Sequence, residues 1–258
     1  MVLHVANFNY ARGGLWEPIH FGRAGQIQRS GSILLGYDVF LVGALVIMGL
    51  YHVGLFALRR QDMYTLMFGL FALLLAMRSI FRGEMFIYTL LPDFPFVWHV
   101  RLEYLGFYLA MPLFLWFILL VFNSPLRRSD RAIAVLVSVL AAGFIVPVLL
   151  GDPGFFTHMV VWYQALTVVV SIVVIGAVLL PAVRAGKPGS WFAGGAFILF
   201  FAAILNDILR MNLVIHTSEM APTGFMFFTF AQAFMLSQRS AQSYQRVERL
   251  TEANAVAI

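Results

Sequence analysis

Seven polar side chains stand within or beside apolar stretches of this sequence: Arg78, Arg101, Glu103, Gln164, Asn206, Asp207 and Arg210. Ionisable groups near hydrocarbon are costly, so each needs a partner or a task. Asp207 and Arg210 are three residues apart and can meet on one helical face, whereas Arg101 and Glu103 are two apart and point differently. Glu103 is therefore expected to pair across helices, with Arg78 as the nearest candidate. Two readings follow. The seven form structural ion pairs and hydrogen bonds that fix helix packing, or they line an outward-facing, arginine-rich ligand site. Such a site suits a small molecule bearing a carboxylate or phosphate, held by forked hydrogen bonds. Gln164 and Asn206 add neutral hydrogen bonds, which in a bundle more often bridge helices.

The histidines suggest less. His99, His158 and His216, with Glu219 nearby, are residue types that bind divalent metals or titrate near neutral pH. None shows a close ligand spacing such as HxH or HExxH, so hydrogen bonding near the membrane interface is the expected role and no metal site is assigned. His52 reads as a satisfied packing residue. Other chemistry is excluded directly. There is no cysteine, hence no thiol nucleophile, disulfide or thiolate metal site. No GxGxxG after a strand, P-loop, GxSxG or HExxH occurs, and no carboxylates stand at catalytic spacing, so no enzymatic activity and no cofactor is expected. The single lysine, Lys187, lies between apolar segments, which rules out a Schiff-base pigment in a bundle.

The elements that carry these side chains are apolar helices. Charged residues make up 11% of the chain, against the roughly 25% usual in soluble domains, which makes this a membrane protein. Nearly charge-free segments run over Val39–Leu58, Met63–Met77, Tyr104–Leu126, Ala132–Gly151, Met159–Val183, Pro188–Asn206 and Met220–Gln238. Most reach the roughly 20 residues needed to cross a hydrocarbon core about 30 Å thick, and the second does so by running past Arg78, whose long side chain snorkels. The fold expected is an all-α membrane protein, a seven-transmembrane helix bundle over residues 30–238. Short connections such as "RRQDM" and "RAGKPGS" imply that sequential helices are antiparallel neighbours. The longer "GEMFIYTLLPDFPFVW" is too apolar for a solvated loop and is expected to fold over the outer mouth. "AGG" at Ala193–Gly195 suits close helix approach.

Basic residues set the expected orientation. One set of loops, with the segment after the seventh span, holds ten of them: Arg59, Arg60, Arg127, Arg128, Arg131, Arg184, Lys187, Arg239, Arg246 and Arg249. The other side, counting the N-terminal stretch, holds seven. The positive-inside rule then places the N-terminus outside and the C-terminus inside. The basic residues form no run, so nucleic acid is not an expected partner despite a formal charge of +5.

Both ends extend beyond the bundle. Residues 1–29 read as two short strands around a glycine turn, an extracellular β-hairpin-like remnant of a sensor domain, followed by a linker, "GRAGQIQRSGS". Residues 239–258 read as a cytoplasmic signalling helix, the start of a coiled coil, since the last apolar segment continues without Gly or Pro. Val247, Leu250, Asn254 and Ala257 follow 3-4-3 spacing, with Tyr244 extending the stripe. Tyr244, Val247 and Leu250 are the expected seam of a parallel homodimer.

"GYDVFLVGALVIMGLYHVGLFALRRQDMYTLMFGLFALLLAMR", "RLEYLGFYLAMPLFLWFILLVF" and "NDILRMNLVIHTSEMAPTGFMFFTFAQAFMLSQRSAQSYQRVERLTEAN" resemble the bacterial seven-transmembrane receptors with diverse intracellular signalling modules. The first residues resemble the end of the jelly-roll sensor domain that often precedes this bundle. The resemblance implies a sensory receptor of the bacterial cytoplasmic membrane. In it an extracellular domain binds a ligand, the bundle carries the change inward, and a coiled coil hands it to a histidine kinase, cyclase or phosphatase domain. Two departures from that pattern, a sensor domain reduced to a remnant and the lack of an output domain, read as an excised piece, with a naturally short receptor acting through a separate partner as the alternative. Two other classes compete: a small-solute transporter or channel, disfavoured by the scarcity of ionisable groups in the inner halves of the helices, and a scaffold for a separate membrane partner.

Overall fold

A computed structural model describes residues 21–122, 126–187 and 189–232. Helices α1 (Ala24–Leu58), α2 (Met63–Ile80), the short α3 (Ile87–Leu90), α4 (Phe96–Phe122) and α5 (Arg128–Leu150) come first. A fifth long span, Pro153–Arg184, is assembled from pieces: α6 (Pro153–Phe156), a 3₁₀ turn (Thr157–Met159), α7 (Val160–Val174), a π-turn (Ile175–Leu179) and α8 (Leu180–Arg184). Then follow α9 (Ser190–Met211) and a last described helix, α10, over residues 221–232. Among the described residues six helices are long and apolar enough to cross a membrane. The expected seventh, Met220–Gln238, is helical through residue 232, and its remainder lies outside the described residues. So do residues 1–20 of the expected β remnant and the signalling helix with Tyr244, Val247 and Leu250.

The chain forms two compact units, one ending at Val170 and one beginning at Ser171. In the first, α1 packs on α2, α2 on α4 and α4 on α5, the sequential neighbours that short loops dictate. Helix α4 is the central one, with 56% of its apolar stretch buried, whereas α1 and α5 bury one stripe each and leave the rest exposed. The α1–α2 crossing is set by two glycines. A Cβ on Gly49 would stand 3.0 Å from the Gly69 carbonyl oxygen, and one on Gly69 would stand 2.9 Å from that of Gly49. Backbone thus meets backbone, as membrane helices pack where small residues coincide.

Helix α1 begins earlier than expected. Most of the stretch read as a linker is helical from Ala24, because the Gln26 side chain reaches back to the Arg23 N–H (3.3 Å) and closes the first turn. At about 1.5 Å per residue, roughly 20 Å of helix precedes Asp38, where α1 first meets the turn after α2.

Prolines shape the longer helices. Pro112 lies inside α4, Pro147 inside α5, and Pro181 is the second residue of α8, just past the π-turn. A proline supplies no N–H to the carbonyl four residues earlier, and its ring crowds that carbonyl. In α4 the deprived carbonyl is that of Tyr108.

In the second unit, α8 packs on α9, and Phe200 of α9 meets Phe225 and Phe228 of α10. A Cβ on Gly224 would come within 2.7 Å of the Ala203 methyl, so this glycine admits α10 against α9. Of the "AGG" run, Gly194 faces Val183 of α8 while Gly195 is exposed. Helix α9 closes in a Schellman arrangement: Val214 N–H donates to the Leu209 carbonyl and Leu213 N–H to that of Arg210, both at 2.9 Å. Leu213 holds the left-handed position at φ 57°, where glycine is usual.

Candidate functional site

Polar groups gather at one end of the first unit, around the turn between α2 and α4. Helix α2 stops at Ile80, and the next residues turn back on the bundle with Phe81 and Ile87 buried. The apolar "GEMFIYTLLPDFPFVW" segment therefore packs only in part, since Leu90 and Leu91 remain exposed. Gly83 adopts φ 58° directly against the Asp38 carboxylate, where any Cβ would collide. That carboxylate accepts the Glu84 N–H at 2.9 Å, so a side chain of α1 holds the turn that follows α2.

This turn delivers Arg82 to Glu103. The Arg82 Nη1 donates to Glu103 Oε1 at 2.6 Å, with both side chains largely shielded from solvent. The expected partner, Arg78, is thus replaced by the arginine one helical turn further along the sequence. The physical reason is the stop at Ile80: once the chain turns, Arg82 folds back onto α4. The Arg78 guanidinium instead lies 5.5 Å over the Phe107 ring, within cation–π range. Gly106 makes room for its stem, because a Cβ there would stand 3.0 Å from the Arg78 Cβ.

His99 is 3% exposed and packed among rings, edge-on to Phe81 (5.6 Å) and stacked with Tyr88 (5.4 Å) and Phe96 (6.0 Å). Its Nδ1 has no hydrogen-bond partner, so the expected interfacial hydrogen bonding gives way at this atom to aromatic packing. Partial burial raises the Tyr88 phenol above its ordinary value, which keeps that ring neutral at physiological pH. His158 Nδ1 pairs with the Gly154 carbonyl at 2.6 Å, and His52 Nδ1 with that of Met48 at 2.9 Å beside the Phe68 ring. Among the described residues no three His, Asp or Glu side chains converge as metal ligands do.

Arg101 points elsewhere. Its Nη2 donates to the Gly151 carbonyl at the end of α5 (3.3 Å), and its guanidinium lies 5.3 Å over Trp98. A cation at a helix C-terminus offsets the negative end of the dipole. Gln164 is buried on α7 beside Tyr163, whose hydroxyl donates to the Tyr108 carbonyl, more than a turn beyond Glu103 along α4. The ring of Tyr163 meets those of Phe107, Tyr108 and Phe144, which ties α7 to α4 and α5.

Asn206, Asp207 and Arg210 belong to the second unit. The two carboxylate oxygens of Asp207 accept the N–H groups of Met220 (2.7 Å) and Ala221 (2.9 Å), and Asn206 Nδ2 donates to Asp207 Oδ1 at 3.1 Å. Asn206 Nδ2 also donates to the Ser218 carbonyl (3.0 Å), and Thr217 Oγ1 donates to Asn206 Oδ1 (2.8 Å). Asp207 thus satisfies amides at the start of α10 that have no helical acceptor, and Asn206 clasps the loop leading there. Within each unit these side chains hold turns and helix ends.

Three participants carry no distinct signal in the sequence. Asp38 lies just before the first apolar segment, Arg82 is one of the seven basic residues opposite the larger set, and Tyr163 is one aromatic residue within an apolar segment. Pro112 carried a usable signal, since a proline inside an apolar helix announces a carbonyl in need of a donor.

With this architecture in view, comparison with known families is decisive. Residues 35–239 match the model of the 7TM diverse intracellular signalling family. The chain belongs to this family. It is a multi-pass membrane module of sensory signalling, and the matched region spans every candidate residue from Asp38 through Arg210. No curated protein and no solved structure matches the chain.

Proposed function

We propose that the chain is a non-catalytic receptor module that relays an extracellular ligand signal across a bacterial cytoplasmic membrane to a cytoplasmic output domain of histidine kinase, cyclase or phosphatase type. The N-terminus lies outside and the C-terminus inside. The active form is a homodimer, and Tyr244, Val247 and Leu250 form the seam through which it acts. A dimeric seam can bias attached domains between two packings, provided the ligand binds one packing better than the other.

The observation that carries this reading is the family match over residues 35–239. The contacts within each unit agree with it: Arg82, Glu103, Arg101, Asn206 and Asp207 hold turns and helix ends, as in a module that moves as linked rigid elements. Arg78, Arg101, Glu103, Gln164, Asn206, Asp207 and Arg210 then fix packing that the signal rearranges. A small-molecule ligand acts on the outer side.

The test uses single cysteines at 244, 247 and 250 in the full chain in native membranes. Crosslinking between two copies at these positions, and its absence at intervening ones, is the expected outcome. No crosslinking at any of them would remove the dimer seam. A fluorescent protein fused after Ile258 reports orientation, since it matures only on the cytoplasmic side. Flux of small solutes through liposomes containing the purified chain would favour the transporter reading instead.

A further inference from the structure

Helix α5 buries a narrow stripe, Ala134, Val137, Ala141 and Val148, and turns its other face outward. On that outer face a second stripe recurs at helical spacing: Arg128, Arg131, Ala132, Val135, Val139, Ala142 and Val146, all exposed. Its first part bounds a shallow cavity of about 380 Å³, lined by Leu126, Arg128, Arg131, Ala132 and Val135. Two guanidiniums thus crown one end of an exposed apolar track. At a spacing of three residues they share a face, with Cβ atoms about 5–6 Å apart, close enough to grip one tetrahedral anion. Neither ends in an ion pair with a carboxylate among the described residues, whereas Arg82 at the other polar cluster does.

We propose that Arg128 and Arg131, with the cavity they share with Leu126, Ala132 and Val135, bind the phosphodiester headgroup of an anionic phospholipid, one of whose acyl chains lies along Val135, Val139 and Val146. Guanidinium forks match phosphate oxygens through charge-assisted hydrogen bonds, and arginine stems rest on apolar surface while their heads stay polar. Basic pockets beside membrane helices recognise anionic lipids by this chemistry. The occupant is a lipid rather than free phosphate because the cavity opens directly onto the apolar stripe. A small inorganic anion would leave Ala132 and Val135 uncovered.

The experiment is native mass spectrometry of the full chain purified in detergent with phosphatidylglycerol, phosphatidylcholine or inorganic phosphate. The parent chain should retain phosphatidylglycerol about tenfold over phosphatidylcholine, as expected where a charge-assisted contact decides binding, and should retain no phosphate. The R128Q/R131Q variant should lose that preference. R59Q/R60Q, which removes the same charge beside another span, should keep it. Val135→Trp fills the cavity from an exposed position and retains both arginines, so it should also displace the lipid, which guards against a misfolded double variant. Equal retention by R128Q/R131Q and the parent, an equal loss in R59Q/R60Q, unchanged binding in Val135→Trp, or phosphate held as well as lipid would each overturn the proposal.

Discussion

The Tyr163 hydroxyl donates to the Tyr108 carbonyl, the acceptor that Pro112 deprives of its helical N–H. Sequence and tertiary structure are coupled at this point: a proline opens a gap in α4 and a tyrosine of α7 fills it, deep in an aromatic cluster where both rings are fully buried. Tyr163→Phe should therefore destabilise the chain by about 0.5–1.5 kcal/mol, the net worth of one such hydrogen bond. The sharper measurement is a double-mutant cycle with Pro112→Ala, followed by thermal unfolding in micelles. Alanine restores a helical donor to Tyr108, so Tyr163→Phe should cost measurably less in that background. Equal costs in both backgrounds would show that the hydroxyl does not serve the proline gap.

The Arg82–Glu103 pair makes a second prediction. Because both side chains are shielded, removing one partner strands the other, which costs about 3–5 kcal/mol in buried pairs. Glu103→Gln should lower the midpoint of thermal unfolding strongly, and R82Q/E103Q should recover a large part of the loss. A double variant no more stable than E103Q would show that the two side chains do not act as a pair.

How far the sequence could be read depends on the range of each interaction. Apolar runs of about 20 residues act through composition alone, so the long helices and their neighbours were legible. The ion pair was not, because the choice between Arg78 and Arg82 turns on where α2 stops, and helix ends shift by one or two residues under small local forces. The small-residue signal lies at Ala193–Gly195, yet the close backbone approach of α1 to α2 joins Gly49 and Gly69, single glycines in two different helices. Nothing local to either one marks it as half of a crossing. Asp38 escaped for a similar reason: its partner is a glycine turn 46 residues away.

Asp207 should act as an acceptor for the start of α10. Asp207→Ala leaves the Met220 and Ala221 amides unsatisfied, at a cost of about 0.5–2 kcal/mol by analogy with lost helix caps. Hydrogen exchange offers the local readout. Faster exchange should be confined to the loop held by Asn206 and the first turn of α10, whereas Asp207→Asn should keep part of the protection. Acceleration spread evenly over α9 would point to a packing defect instead.

The α1–α2 crossing supplies the most demanding test, because the two glycines report on one contact from both sides. A methyl at either position meets backbone of the other helix: Gly69→Ala would press on the Gly49 carbonyl and the Val53 amide, and Gly49→Ala on the Gly69 carbonyl and, closer still, on the Leu73 side chain. Overpacking of this kind costs about 1–3 kcal/mol. The two substitutions should not add, since the first already forces the helices apart and leaves room for the second. Thermal unfolding of the single and double variants measures this directly, with the double variant expected well short of the sum. Gly54→Ala, on the same helix with open space around it, is the control and should be neutral or slightly stabilising through helix propensity. Additive losses would mean that Gly49 and Gly69 pack independently, and that the approach of α1 to α2 is set by side chains elsewhere along the crossing.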